Sequence, residues 1–430
     1  MRVASKEYFS EHQKYIKLSA KIGILILALV FLLLPGILRE SEFPVGDKPY
    51  YHLAKNENIL GVGIGWNLLL KYFPMNTLLF VIGSLSLFFI FLNLKTFRLE
   101  ERLLILSFFI VSPAFVYLFN VGERFGAAFL FSLVSSYFFL DKKYLIAGIS
   151  TLLVFLFDIW IGFFVLLFFI LYFLLHDKRK IFYFAVAGFV LLTLLLGGFN
   201  NYIISDLGAM VGSSIFALLF AVFCFLFFWD KEKFFPLYAA ITLLLFFSFK
   251  VEFGIFYFSL FLSVLTGLCF FELLRAKWES KLVRDLILLI FICGFLFSGL
   301  SYVNRISKDN PNEDIFSALD RLPEGSVVFS DLEYGNWIIY SGKRSVWHSF
   351  MDQDEIDAVE KDFSAITDPG ADYFIVAKVL EKYEVDYVLI DEKLRRKWQD
   401  SGLLYLLRYN NENFRFLFES NGVEVWRFFR

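Results

Sequence analysis

Residues 125–175 read FGAAFLFSLVSSYFFLDKKYLIAGISTLLVFLFDIWIGFFVLLFFILYFLL, an apolar run broken only by Asp141-Lys142-Lys143 and by Asp158. A bilayer core takes roughly 20 apolar residues per helix, and helices are the open-chain way to satisfy backbone polar groups in lipid. Cutting at the charges leaves segments at 125–140, 144–157 and 159–175, which read as membrane helices with minimal connections. The same cut, carried outward, gives segments near 19–38, 76–94, 103–119, 181–197, 214–229, 234–249, 255–274 and 286–303, about eleven spans in all. Several are short by the usual length rule.

The composition agrees. With 58% hydrophobic residues and 59 phenylalanines in 430 residues, the chain carries more apolar surface than one soluble core buries. Charge is nearly balanced, 41 Lys plus Arg against 43 Asp plus Glu, and nothing in it points to nucleic acid. Cys224, Cys269 and Cys293 all lie in apolar runs and read as buried filler, with no disulfide framework. The first apolar run has no small-residue cleavage site after it and reads as a retained helix.

The connections fix an orientation. If the Lys-rich N-terminus is cytoplasmic, alternate connections carry Lys95/Arg98/Arg102, Lys142/Lys143, Lys178/Arg179/Lys180, Lys231/Lys233 and Arg275/Lys277/Lys281/Arg284. The opposite set holds Arg39/Lys48/Lys55, Arg124 and Lys250 and is otherwise bare of cations. That is the asymmetry of the positive-inside rule. It requires 144–175 to be two helices rather than one long helix with a polar interruption. A multi-pass protein is expected, in a prokaryotic plasma membrane, with a membrane domain over 1–304, an external first loop at 39–75, and an external α/β domain over 305–430.

Acids gather on the outer side: Asp47, Glu123, Asp158, Asp206 and Glu252. An ionisable group at membrane depth costs about 2.5–3.5 kcal/mol even on lenient scales, so such residues face a bundle interior or a wet cavity. The outer cations each stand beside an acid, Lys48 by Asp47, Arg124 by Glu123 and Lys250 by Glu252. These are either plain ion pairs of little net value or clamps for a phosphate leaving group. The first loop, too long for a mere connector, carries GDKPYYHL at 46–53. There Asp47, His52 and the Tyr50/Tyr51 rings suit a sugar or phosphate site; the alternative for the tyrosines is an interfacial aromatic belt.

From about 305 the pattern predicts helices over 311–321, 353–366, 371–384 and after Glu392, strands at SVVFSD and DYVLID (386–391), and a terminal hairpin around Asn421-Gly422. YGNWIIYSG reads as helix or turn. No Gly-rich phosphate loop, Cys/His cluster or nucleophile elbow appears, so this domain is expected to bind rather than catalyse alone.

Two stretches resemble one family. SDLEYGNWIIYSGKRSVW, 330–347, looks like the region around the WWDYG motif of oligosaccharyltransferase catalytic subunits, and GDKPYYHL resembles their first-loop acidic motif. The order of helices, outward acids and external domain is that of GT-C membrane glycosyltransferases. The resemblance implies an inverting transfer of sugar from a polyprenyl- or dolichyl-phosphate carrier to a protein, glycan or lipid acceptor. It implies that Asp47 contacts metal or acceptor, that Glu123 occupies the second-loop acidic position, and that Glu252 grips the acceptor. Glu333, Tyr334 and Gly335 correspond to DYG. Asp331 and Leu332 stand where the family has two tryptophans, and NVGERFG replaces an acidic pair.

The expected catalytic residues are thus Asp47, Glu123 and Asp158. Lys48, His52, Arg124, Lys250, Glu252, Glu333, Tyr334 and Gly335 are expected to bind substrate, and a divalent cation (Mg2+ or Mn2+) is expected on Asp47 and Glu123. A transporter or flippase, and a non-catalytic scaffold of the same build, are the competing readings; no internal repeat favours transport. The orientation is testable: in a cysteine-free background, a membrane-impermeant maleimide on intact cells should label Glu324→Cys and leave Thr96→Cys unlabelled until the cells are opened. The reverse pattern would invert the topology.

Overall fold

The structure, a computed structural model, describes residues 2–39, 44–54, 63–175, 215–228, 235–248, 252–308, 313–398 and 402–430. The expected span 181–197, Asp206 and Lys250 lie outside the described residues, as do the side chains of Cys224 and of Glu252, the first residue of the helix Glu252–Arg275. The chain divides into two compact units, one of residues 1–40 and 60–308, the other of 41–59 and 309–430.

The first unit is helical. Leu18–Arg39, Met75–Asn93, Gly254–Arg275 and Lys281–Ser307 are long and apolar enough to cross a membrane. Leu99–Val111 and Pro113–Asn120 together form a fifth such element, bent by 67°. The expected straight span 103–119 is therefore broken. Pro113 lacks an N–H and its ring excludes the preceding turn, so it begins a new helix instead. Ser112 completes the break, its hydroxyl donating to Phe109 O at 2.8 Å and accepting from Phe115 N at 3.2 Å. Arg124–Leu140, Tyr144–Phe157 and Ile159–Phe173 are apolar but shorter. Among the described residues, then, four or five elements have spanning length where eleven spans were expected. The chain does split at Asp158, between helices Tyr144–Phe157 and Ile159–Leu175.

Apolar side chains gain little by leaving lipid for one another, so close packing and interhelical hydrogen bonds hold such a bundle together. A Cβ on Gly267 would come 2.7 Å from Ile105 Cα, so Glu252–Arg275 packs on Leu99–Val111 backbone to backbone. Ser135 Oγ lies 2.7 Å from Thr151 Oγ1 and donates to Ala147 O at 2.8 Å, joining Arg124–Leu140 to Tyr144–Phe157. Cys269 is buried, but Cys293 is exposed, which corrects its reading as filler; it lies on a helix largely unburied within the unit.

The second unit is a five-stranded sheet of order β2-β1-β3-β5-β4, with β1 Val327–Phe329, β2 Arg344–Ser345, β3 Tyr387–Ile390, β4 Phe414–Ser420 and β5 Val423–Phe428. β1 pairs in parallel with β2 and β3, while β5 runs antiparallel to β3 and β4. VVF and YVLI are buried at every residue, as a sheet covered on both faces requires. The hairpin turns at Asn421 and Gly422, φ 47° and 86°, the left-handed pair that matches strand twist. Flanking helices are Glu313–Asp320, Gln353–Thr367, Tyr373–Lys382, Glu392–Trp398 and Leu403–Tyr409. The last of these, and two-residue β2, are too short to show periodicity in the sequence. YGNWIIYSG resolves into a 3-10 turn, Leu332–Tyr334, and a helix, Gly335–Tyr340.

Part of the first loop belongs to this unit's core. Tyr50 is fully buried, its ring 5.3 Å from that of Phe316 and 5.2 Å from that of Tyr340, and its hydroxyl donates to Pro44 O at 2.9 Å. Tyr51 stacks on Phe350 at 4.0 Å. Tyr50 is thus neither an interfacial belt residue nor an open platform, because a ring with its only polar atom satisfied is most stable in an apolar core.

Gly335 admits no side chain: a Cβ there would come 2.1 Å from Trp347 O and 2.8 Å from His348 Cα. Gly335→Ala should destabilise this unit by about 1–3 kcal/mol, the usual cost of overpacking, read as a lower melting temperature in detergent. An unchanged melting curve would refute the close approach.

Candidate functional site

Asp47 lies just before the helix Lys48–Ala54. Its Oδ2 accepts from Asn336 Nδ2 at 3.0 Å and from Ser349 Oγ at 2.8 Å, and Asn336 Nδ2 also donates to Ser349 Oγ at 2.8 Å. Asn336 is fully buried, so both its amide hydrogens are committed to this ring of contacts. Burial pushes the Asp47 carboxyl above its ordinary value of 3.8, against the opposing pull of the Lys48 charge, the Ser349 hydroxyl and nearby backbone N–H groups. A carboxylate so raised is a stronger base than an exposed one, and nearer the pH at which a general base works.

Four successive residues build that bed. Tyr334, stacked on Trp337 at 4.8 Å, donates from its hydroxyl to Asp391 Oδ2 at 2.5 Å, which with burial holds the phenol well above its usual range. Gly335 fits against the Trp347–His348 backbone. Asn336 then meets Asp47, and Trp337 Nε1 donates to Gly46 O at 3.1 Å. The two stretches that resemble the same family, far apart in sequence, therefore meet in space. Glu333 instead faces outward and pairs with Lys393. His52 is buried edge-on to Tyr51 and Phe350, at 5.8 and 5.5 Å. Lys48 opens its helix, half-buried. Sequence reasoning missed Asn336 and Ser349. A lone amide inside YGNWIIY was a signal for Asn336; Ser349 carried none.

The helical unit holds the other acids. Glu123 is buried and accepts from the Tyr117 hydroxyl. Arg124 pairs through Nε with Asp158 Oδ2 at 3.0 Å, their side chains 15% and 5% exposed, rather than with its sequence neighbour Glu123. Asp158 Oδ1 also accepts from Ile161 N at 3.1 Å, capping the helix it precedes. Asp158 is thereby committed twice, to a charge and to a helix end.

A divalent cation needs several hard oxygen ligands around one point. Among the described residues no three His, Cys, Asp or Glu side chains gather that way, and Asp47 Oδ2 and Glu123 Oε1 already accept hydrogen bonds. Neither Asp47 nor Glu123 is part of such a group among the described residues.

No protein-family model matches the chain, and no curated protein matches its sequence. Solved structures do match its fold. The oligosaccharyltransferase of Archaeoglobus fulgidus in its apo form matches at TM-score 0.61 and 13% identity, over 88% of this chain and 70% of that one. AglB of the same organism, in complex with an inhibitory peptide and a dolichol-phosphate, matches at 0.60 and 12%, over 97% and 75%. An Archaeoglobus fulgidus oligosaccharyltransferase crystallised with Zn and sulfate matches at 0.57 and 14%, over 94% and 72%. The chain has the fold of these proteins, GT-C.

Removing one partner of a buried ion pair leaves an uncompensated charge and costs about 3–5 kcal/mol, whereas replacing both by apolar groups is often near neutral. Arg124→Gln should therefore sharply lower the melting temperature and yield of the purified protein. Arg124→Met with Asp158→Leu should recover most of the loss, short of about 1 kcal/mol for the helix cap. Equal losses in single and double variants would show that the pair carries no such strain.

Proposed function

We propose that this protein is a membrane glycosyltransferase that moves a sugar or oligosaccharide from a polyprenyl-phosphate-type carrier to an acceptor on the outer face of the membrane, inverting the sugar carbon. The observation that carries it is the likeness of fold, bundle and sheet domain together in one chain order, to oligosaccharyltransferases over 88% and 97% of the chain. The dolichol-phosphate and inhibitory peptide held by one of those structures supply the classes of donor and acceptor. The positive-inside pattern supplies the orientation, N-terminus cytoplasmic and sheet domain outside.

Asp47 is the base. An inverting transfer needs the acceptor's nucleophilic atom oriented and its proton taken as the bond to the sugar forms and the carrier phosphate departs. Asp47 Oδ2 is fixed by Asn336 and Ser349, so the carboxylate keeps one orientation. Arg124 neutralises the departing phosphate by exchanging one anionic partner, Asp158, for another; Glu123 and Glu252 help hold the acceptor. A non-catalytic scaffold is the second reading, favoured by Glu123 being tied to Tyr117 and by the replaced acidic pair.

In liposomes containing a polyprenyl-diphosphate-linked sugar and an acceptor peptide, Asp47→Asn should slow transfer by about 10²-fold or more, the usual share of a positioned base. Transfer at the wild-type rate would remove Asp47 from the mechanism. The same variant should be no less stable at neutral pH. A carboxyl whose folded pKa is raised stabilises the fold fully below its unfolded value, near 3.8, and that contribution is lost as pH rises through the raised value. Asparagine carries no such loss.

Ser349→Ala removes a donor that lowers the Asp47 pKa. The acid limb of the rate profile should then move to higher pH. A profile unchanged in position would show that Ser349 does not tune this group.

A further inference from the structure

A cavity lies in the helical unit, and one of its lining residues, Tyr257, sits within electrostatic reach of the Arg124–Asp158 pair. A space of about 590 Å³ opens among helices Met75–Asn93, Arg124–Leu140, Ile159–Leu175, Phe235–Ser248 and Glu252–Arg275. That is within the roughly 300–1,000 Å³ of ligand pockets and far beyond a packing defect in an interior packed like an organic crystal. Its wall is aromatic, with Phe109, Phe129, Phe164, Phe168 and Phe261. Two of the polar groups along it are satisfied locally: Ser132 Oγ donates to Ala128 O at 2.7 Å, and the Tyr257 hydroxyl donates to Phe125 O at 2.8 Å. So aromatic a wall offers water few partners and favours an apolar occupant.

Its dimensions name the occupant. Phe129, Ser132, Leu133, Ser136 and Leu140 line it from one face of a single helix, and the eleven steps from first to last at 1.5 Å rise span about 16 Å. A hydrocarbon core is about 30 Å thick, so this is the depth of one leaflet. Asn93, Lys95 and Thr96 line one end, where Asn93 Nδ2 donates to Leu133 O at 3.0 Å. Beside that end Asp141 pairs with the lining Lys95 at 2.6 Å and with Lys143 at 3.1 Å. Lys142, exposed, has no ion pair among the described residues, so three lysines face one acid. Nearby Glu101 is committed to the Arg98 backbone N–H at 2.8 Å.

We infer that this cavity is a binding site for one anionic glycerophospholipid of the leaflet at the Lys95 end, with one hydrocarbon chain inserted along the phenylalanines and the phosphate headgroup over Lys95, Lys142 and Lys143. The site lies at the end of the helix Arg124–Leu140 opposite Arg124, and it rests on the bundle's own geometry rather than on the proposed reaction. Its role is to lock the helices at the basic end.

The test uses the full chain, delipidated in detergent and examined by native mass spectrometry with dioleoyl phosphatidylglycerol or dioleoyl phosphatidylcholine at equal concentration. The wild type should retain one phosphatidylglycerol per chain in preference to phosphatidylcholine. Lys142→Gln with Lys143→Gln, which leaves the Lys95–Asp141 pair intact, should cut that preference by about fivefold or more, because each basic residue near an anionic surface contributes about a fivefold factor. Ser136→Phe should abolish retention of both lipids by filling the cavity. Equal retention of the two lipids by the wild type, a preference unmoved by the lysine variant, or displacement of phosphatidylglycerol by equimolar polyprenyl phosphate would each overturn the assignment.

Discussion

The contact on which the site depends is one carboxylate oxygen, Asp47 Oδ2, held by an amide 289 residues and a hydroxyl 302 residues further along the chain. Such a contact needs both partners already in place, since fixing a free loop costs about 1–2 kcal/mol per residue. The burial of Tyr50, the bond from Trp337 to Gly46 O and the stacking of Tyr51 on Phe350 meet that cost with apolar contact and one further hydrogen bond. The first loop is therefore divided: its helix Ile64–Tyr72 packs in the helical unit, with Trp66 Nε1 donating to Gly122 O at 3.2 Å. Its segment 44–54 folds with the sheet domain, and the family-like stretch 334–337 is the surface it folds onto.

This arrangement explains why the stretch keeps EYG while lacking the paired tryptophans. Tyr334 and Gly335 have structural work of their own, a bond to Asp391 and a backbone approach that no side chain permits. Asp331, at a tryptophan position, caps the 3-10 turn by accepting from Leu332 N at 2.7 Å and pairs with Lys397 at 2.6 Å. A buried, ion-paired carboxylate thus stands where the resemblance leads one to expect an indole.

The helices were legible because charges punctuate the apolar runs, and a run of apolar residues between charges has few alternatives in lipid. The break at Ser112-Pro113 was written in the sequence too, but proline in membrane helices is often tolerated, so its presence alone does not announce a bend. The partner of Arg124 was not legible. Adjacent residues on a helix point in different directions, and the acid that reaches Arg124 is the one 34 positions on, Asp158 at a helix start. Asn336 and Ser349 were hidden for the same reason, that sheet topology, not local pattern, brings residue 47 to residues 336 and 349. Asp47 stood out in the sequence as a carboxylate in a long aromatic loop, but nothing there named the partners that hold it.

If Asp47 is the base and Asn336 holds it in place, a double-mutant cycle on the initial rate of sugar transfer in liposomes will show the two acting as one. Asn336→Ala alone should slow transfer, and combining it with Asp47→Asn should slow it no further than Asp47→Asn alone, because the amide acts only through the carboxylate. Losses that multiply, or an Asn336→Ala enzyme as fast as wild type, would contradict the account.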